Sequence, residues 1–304
     1  MDNFLHIQPD VATGLAQKKP VVALESTVIT HGLPYPDNVE TAVKMQTAVR
    51  EGGAIPATIA IIKGQVHVGL TDEELEYLGR LAGTAVRKCS RRDIPLAIGN
   101  REDGATTVAG TMILAHRAGI RLFATGGIGG VHRGHPFDIS ADLLELSRTP
   151  VTVVSSGAKS ILDLPATREV LETHGVPIIG YGTDELPAFF ARSSGLAVDI
   201  RLDTPEAVAQ VMQAHQQTGL QNGLLVTVPV PAANACDPDM VEAAIAQATQ
   251  EADDQGIHGP ASTPWLLRRV VELTNGRSLQ ANVALLRNNG YVAATIASAL
   301  AANA

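Results

Sequence analysis

Short apolar runs alternate with amphipathic segments along almost the whole chain. The runs at 21–24, 58–62, 65–68, 96–98, 122–124, 151–154, 177–179 and 224–228 predict strands, and several are apolar throughout instead of alternating. Strands read that way when helices cover both faces of their sheet. Helix starts lie between them. "TDEELEYL" offers Thr71 as N-cap with Glu74 three residues on, a capping box. Thr204 and Thr263 precede Pro205 and Pro264, each suited to a first helical position. Val39, Ala42, Val43 and Val49 give the segment after Pro36 one apolar face. Lys63 and Gly64 form the turn of a hairpin in "IIKGQVHV", which adds an antiparallel element. The pattern predicts an α/β protein, a three-layer α/β/α fold around a central mixed, mainly parallel sheet.

With 304 residues and 45% hydrophobic content, the chain can bury a large core. No repeat, low-complexity tract or Pro/Gly/Ser linker divides it, so 1–304 reads as a single α/β/α domain. Net charge is −8 and the 23 Lys and Arg are scattered, which argues against a nucleic-acid polymer as partner. Aromatic content of 3% argues the same way, since single-strand binders stack bases on rings. The start lacks the basic and apolar regions of a secretory signal, and no run approaches the ~20 residues that span a bilayer. The Ala-rich end reads as a packed helix. Cys89 and Cys236 lie far apart and in no CxxC, so neither zinc nor a disulfide is supported and a reduced cytoplasm is expected.

In open α/β sheets ligands collect at the carboxyl ends of strands. Four such places carry candidate chemistry. Glu25 ends the first run; poor solvation there would suit it to donate a proton, though a turn cap or a surface ion pair fits the position too. His31, before Gly32, is a weaker candidate. "KCSRRD" places Lys88, Arg91 and Arg92 together, either as a solvated edge or to hold a phosphate. "TGGIGGVHRGHPFDISADL" has four glycines in five residues, which let backbone amides approach an anion. It is no dinucleotide fingerprint, because His132 takes the last glycine position and no helix opens there. "GAKS" fails as a P-loop because Ala158 replaces the glycine before Lys159. Asp138 and Asp142, four apart around Ser140, would share one side of a helical turn and suit a hard divalent ion; alternatively Ser140 caps a helix whose dipole Asp142 complements. Finally, Ser155, Ser156, Gly157 and Ala158 lead a strand into Lys159. A buried, neutral amine there could attack a carbonyl carbon, although most lysines are solvated and inert.

The blocks "VALEST", "PATIAII", "KCSRRD", "GATTVAGTM", "ATGGIGGVHRG", "FDISADL", "SSGAKSILDL", "THGVPIIGYGTDELPAFF" and "SLQANVALLRNN" together resemble the pseudouridine-5′-phosphate glycosidase family, also called the pseudouridylate synthase or indigoidine-synthase-A-like family. The resemblance implies reversible cleavage of pseudouridine 5′-phosphate to uracil and ribose 5-phosphate, with one divalent ion per subunit, usually manganese, in a homotrimer. It makes Lys159 the Schiff-base nucleophile and Glu25 the proton donor. Lys88, Val108, Ser140, Ala141 and Asp142 would contact substrate, and Asp138 would hold the metal. Chemistry alone adds His132 and Arg133, with Lys88 and the glycine loop, as phosphate contacts. Pro260 and Trp265 depart from the family pattern, which bears on local packing more than on chemistry. A Schiff-base aldolase for another sugar phosphate shares Lys159 and the anion loop, and a non-catalytic sugar-phosphate sensor would need neither nucleophile nor acid. A sugar kinase lacks support, since no "GAGD"-type turn is present.

Overall fold

The apolar run Val21–Leu24 is buried at all four positions, and Leu122–Ala124, Thr152–Ser155 and Leu225–Thr227 are buried throughout as well. In the computed structural model, which describes residues 4–84, 86–257, 259 and 262–302, these strands lie side by side and parallel at the centre of an 11-stranded sheet. Beyond Val21–Leu24 the sheet continues through Ile55–Ile62 and Gln65–Val68 to a border strand, Leu5–Ile7; beyond Leu225–Thr227 it continues through Ile178–Tyr181 to the other border, Ile200–Leu202. Antiparallel pairing is confined to Ile55–Ile62, which meets Gln65–Val68 across the Lys63-Gly64 turn and also meets Gly104–Thr106. Both turn residues have positive φ, 49° and 80°. The short strand Arg87–Cys89 joins Gly104–Thr106.

Helices flank this sheet and make the three layers expected of the pattern. The long helix Arg277–Ala302 packs across the central strands and against helices Asp37–Glu51 and Pro205–Thr218, while Val108–Ala118 packs on the strands as well. Phe123 in the middle strand is fully buried, as are Leu285 and Leu286 from the long helix. Glu74 and Thr71 form the capping box, and the Thr204 hydroxyl accepts the Ala207 amide at 3.2 Å. A separate three-stranded sheet, Leu162–Asp163, Val131–His132 and His135–Ile139, stands beside the glycine loop. Its hairpin exposes Phe137 almost completely, at 98%, next to half-exposed Ile139. On the Ile200–Leu202 border, Arg201 is bound to Asp203 and Asp184 at 2.8 and 2.7 Å.

Several expectations are corrected. Residues 96–98 are helical, within Ile94–Gly99, because Pro95 sits in the first turn and a six-residue apolar run carries no period that separates strand from helix. Val43 is exposed: the buried face of Asp37–Glu51 runs instead through Ala42, Met45, Ala48 and Val49, with Asn38, Thr41 and Gln46 buried beside them. Thr263 is inside the helix Ser262–Leu273 and not its cap. Trp265 packs on the core from that helix, and Pro260 lies outside the described residues. Among the described residues no helix is long and apolar enough to cross a membrane.

Replacing Phe123 by Ala should lower the unfolding free energy by about 3–5 kcal/mol in a denaturant titration. A loss under about 1 kcal/mol would mean that the central strand is not packed as described.

Candidate active site

Neighbouring parallel strands release their chains at the same edge, so the turns after Val21–Leu24, Leu122–Ala124 and Thr152–Ser155 open into one cleft of about 820 Å³. Glu25 leaves the first strand, only 8% exposed, with one carboxylate oxygen accepting from the Thr27 hydroxyl and the other from the Thr125 hydroxyl. Lys159 enters from the third turn. Its Nζ donates to the Gly127 carbonyl at 2.9 Å, and its amide donates to Ile128 O at 3.1 Å. The small residues before it have a steric purpose. Gly157 has φ 78° and a Cβ there would lie 2.5 Å from Pro187 O, while a Cβ on Gly127 would meet the Phe189 ring at 2.7 Å. Only glycine lets the two turns pass so close to the loop that carries Pro187 and Phe189.

Lys88, half-buried on its short strand, faces the same cleft. Burial and then the neighbouring Lys159 hold its amine below the usual lysine value, against the pull of Asp142 and Glu25. Asp142 is buried and spent on backbone: its two oxygens accept the Ala109 amide at 2.9 Å and the Gly129 amide at 2.8 Å. Ser140 caps the helix Ala141–Leu146, accepting from Asp142 N at 3.2 Å, and Ser140 and Ala141 line the cleft. Val108 lines it too, as the first residue of the helix capped by Thr107. Asp138 stands on the strand His135–Ile139 and not on a helical turn with Asp142. His132 shares that wall; burial lowers its pKa, Asp138 pulls it up, and Lys88, His135 and Lys159 add to the lowering.

Two further members of the basic set, Arg91 and Arg92, line the rim of the cleft with acidic neighbours. Arg91 makes two bonds of 2.8 and 2.6 Å to buried Glu145, and the Arg92 side chain is 82% exposed beside Asp93. Arg133 does not line this cleft. Its guanidinium donates to Ser160 O and Leu162 O at 2.9 and 3.1 Å and pairs with Glu242, so the expected phosphate contact is replaced by a structural one. His31 lies in the cleft with its pKa lowered by burial and by Lys88, and its Nδ1 is 2.6 Å from the Thr30 hydroxyl.

The model of the family described as indigoidine synthase A like protein matches residues 10–299. The chain belongs to that family. A pseudouridine-5′-phosphate glycosidase of Hahella chejuensis is 57% identical over 300 residues, which cover 98% of this chain and 99% of that one. The enzyme of the same name from Escherichia coli is 56% identical over 296 residues, 97% of this chain and 95% of that one. Among solved structures, the prealnumycin C-glycosynthase AlnA in complex with ribulose 5-phosphate superposes with a TM-score of 0.91 at 43% identity, covering 100% of this chain and 99% of that one. An indigoidine synthase A-like protein of Thermotoga maritima gives 0.89 at 38% identity, covering 98% and 97%.

In this member of the indigoidine synthase A like family, sequence reasoning missed the hydroxyls of Thr27 and Thr125, which hold Glu25, and the cleft residues Phe189, Asn282 and Leu286. A threonine directly after a buried strand was the available signal for Thr125. Phe189 gives none in sequence, since its place follows from a positive φ of 62° in a distant loop.

Because burial disfavours the Lys88 ammonium, Lys88→Met should raise the melting temperature at neutral pH while raising KM for the substrate at least about tenfold. The stabilisation should shrink as pH rises from the lowered Lys88 value towards the ordinary lysine range, above which both folded and unfolded chains carry the neutral amine. A fall in melting temperature would show that the lysine stabilises the fold.

Proposed function

We propose that the protein reversibly cleaves the C-glycosidic bond of pseudouridine 5′-phosphate, giving uracil and ribose 5-phosphate through an imine on Lys159. The observation that carries this reading is the half-buried Lys159 amine and the buried Glu25 carboxylate in one cleft, held by two residues of a single loop, Gly127 and Thr125, one residue apart. The names of relatives identical over half their residues, and a fold neighbour solved with a pentose phosphate, support it.

The bond to be broken joins ribose C1′ to uracil C5, and a carbon leaving group does not accept a proton as readily as the oxygen expelled by two-carboxylate glycosidases. Glu25 protonates the ring oxygen, the C1′–O bond opens, and conjugation with uracil leaves C1′ electrophilic. The Lys159 amine adds to C1′ through its lone pair. Protonation of uracil C5 then lets the carbon–carbon bond break: its electron pair passes into the uracil ring while the amine lone pair forms the C1′=N bond, and water hydrolyses the resulting imine to ribose 5-phosphate and the free lysine. The Ile128 and Gly129 amides are already taken by Gly157 O and Asp142, so Lys88, His132 and the other amides of the glycine loop would meet the phosphate.

Asp138 presents one carboxylate to the cleft, and among the described residues no three His, Cys, Asp or Glu side chains gather to cage an ion. That donor set fits a divalent ion such as manganese, one per subunit, that keeps most of its waters and takes other ligands from sugar oxygens. When bound, such an ion would supply charge stabilisation and orient water. The exposed Phe137 with Ile139 supports a contact surface between copies, which the family resemblance would make a homotrimer, and two unpaired buried cysteines support a reducing, cytoplasmic setting.

Borohydride added with ribose 5-phosphate should fix a pentose phosphate on the peptide containing Lys159, and Glu25→Ala should lower kcat by about 10³-fold without unfolding the protein. An adduct on any other residue would exclude this nucleophile. Treatment with a chelator should lower activity, and manganese should restore it in the native protein but not in Asp138→Ala; undiminished turnover after chelation would remove Asp138 from the role.

A further inference from the structure

Asparagine is a poor helix former, yet Asn289 lies in the interior of the 26-residue helix Arg277–Ala302 with no exposed surface. A buried side-chain amide must be bonded, and the partners here are informative. Its Nδ2 donates to Thr125 O at 2.9 Å, to the Ser156 hydroxyl at 3.1 Å and, more weakly, to Gly126 O at 3.4 Å. The Ser156 hydroxyl donates in turn to Asn289 Oδ1 at 3.3 Å. Pairing between strands Leu122–Ala124 and Thr152–Ser155 ends at Ala124 and Val154. Past that point the two turns are joined by Thr125 N to Val154 O at 3.0 Å, Ser156 N to Gly126 O at 2.8 Å, and Asn289. Each turn bears reacting chemistry within three residues. Thr125 donates its hydroxyl to Glu25, Gly127 accepts from the Lys159 amine, and Ser156 leads through Gly157 and Ala158 to Lys159 itself.

We infer that Asn289 is a positioning residue, which sets the separation of the acid and the nucleophile by clamping both turns from the far side of the cleft wall. It touches no reacting atom. Packing alone would accept a leucine of similar volume, but leucine leaves two carbonyls and a hydroxyl without their donor. The inference deepens the lysine-and-acid reading of the cleft and rests on it.

The test uses the full-length enzyme with pseudouridine 5′-phosphate and the isosteric variant Asn289→Asp. Ionised, the new carboxylate faces the Thr125 and Gly126 carbonyl oxygens and cannot donate; protonated, it regains one donor, and burial raises its pKa. At about pH 8 we expect kcat to fall about 100-fold with KM within about threefold, and the ratio to wild type to recover as the pH is lowered towards about 6. Asn289→Ala should lose as much at every pH. A folded Asn289→Asp protein with kcat within about threefold of wild type, or a loss independent of pH, overturns the inference. Borohydride trapping of the wild-type enzyme is the separate control: absence of a Lys159 adduct would sink the imine reading alone, because the variants' kcat decides the positioning role whichever covalent chemistry the cleft performs.

Discussion

The carboxylate of Asp142, taken out of water at the first turn of a six-residue helix, accepts the amides of Ala109 and Gly129 at once, and the shape of the cleft follows from that. A buried charge is tolerable only when its lone pairs are met, so the glycine loop and the start of helix Val108–Ala118 must come to it. One turn later Glu145, also buried, holds Arg91 and so draws in the segment that carries Lys88. Two acids of one short helix thus act as struts. The sequence suggested metal binding or dipole compensation for Asp142; the structure gives it a bracing role.

What remains for chemistry is a small set with opposed charges. Lys88 and Lys159 repel one another across a partly desolvated space, and Glu25 and Asp142 offset that only in part. An excess of positive charge in a partly desolvated cleft favours an anion over a cation as occupant. The same logic explains why the lining is crowded with threonine and glycine. Bulkier neighbours would fill the space, and more acids would cancel the field.

Legibility in the sequence followed the range of the interaction. Val21–Leu24, Gln65–Val68 and Leu122–Ala124 could be read at their true bounds because each is a short run ended by a turn residue. The capping box at Thr71 is equally local. By contrast "IPLAIG" misleads, because without its proline it reads as well as a strand. Glu25 and Lys159 stood out as reactive types at strand ends, but one of the two hydroxyls that hold Glu25 lies 100 residues away at Thr125, and the group that holds Thr125 lies 164 residues further on at Asn289. No spacing rule reaches that far. Arg133 shows the converse error: a cation beside a glycine loop looked like an anion ligand, and its donors had already been claimed by two main-chain carbonyls.

The large sheet ends in strands of three residues, Leu5–Ile7 and Ile200–Leu202, the second carrying an arginine tied on both sides to aspartates. A foreign strand docking at Arg201 would gain only a few ladder bonds and would have to dislodge two ion pairs to do so. Backbone-templated stacking on that border is thereby disfavoured, and a neighbour arriving there meets side chains before it meets main chain.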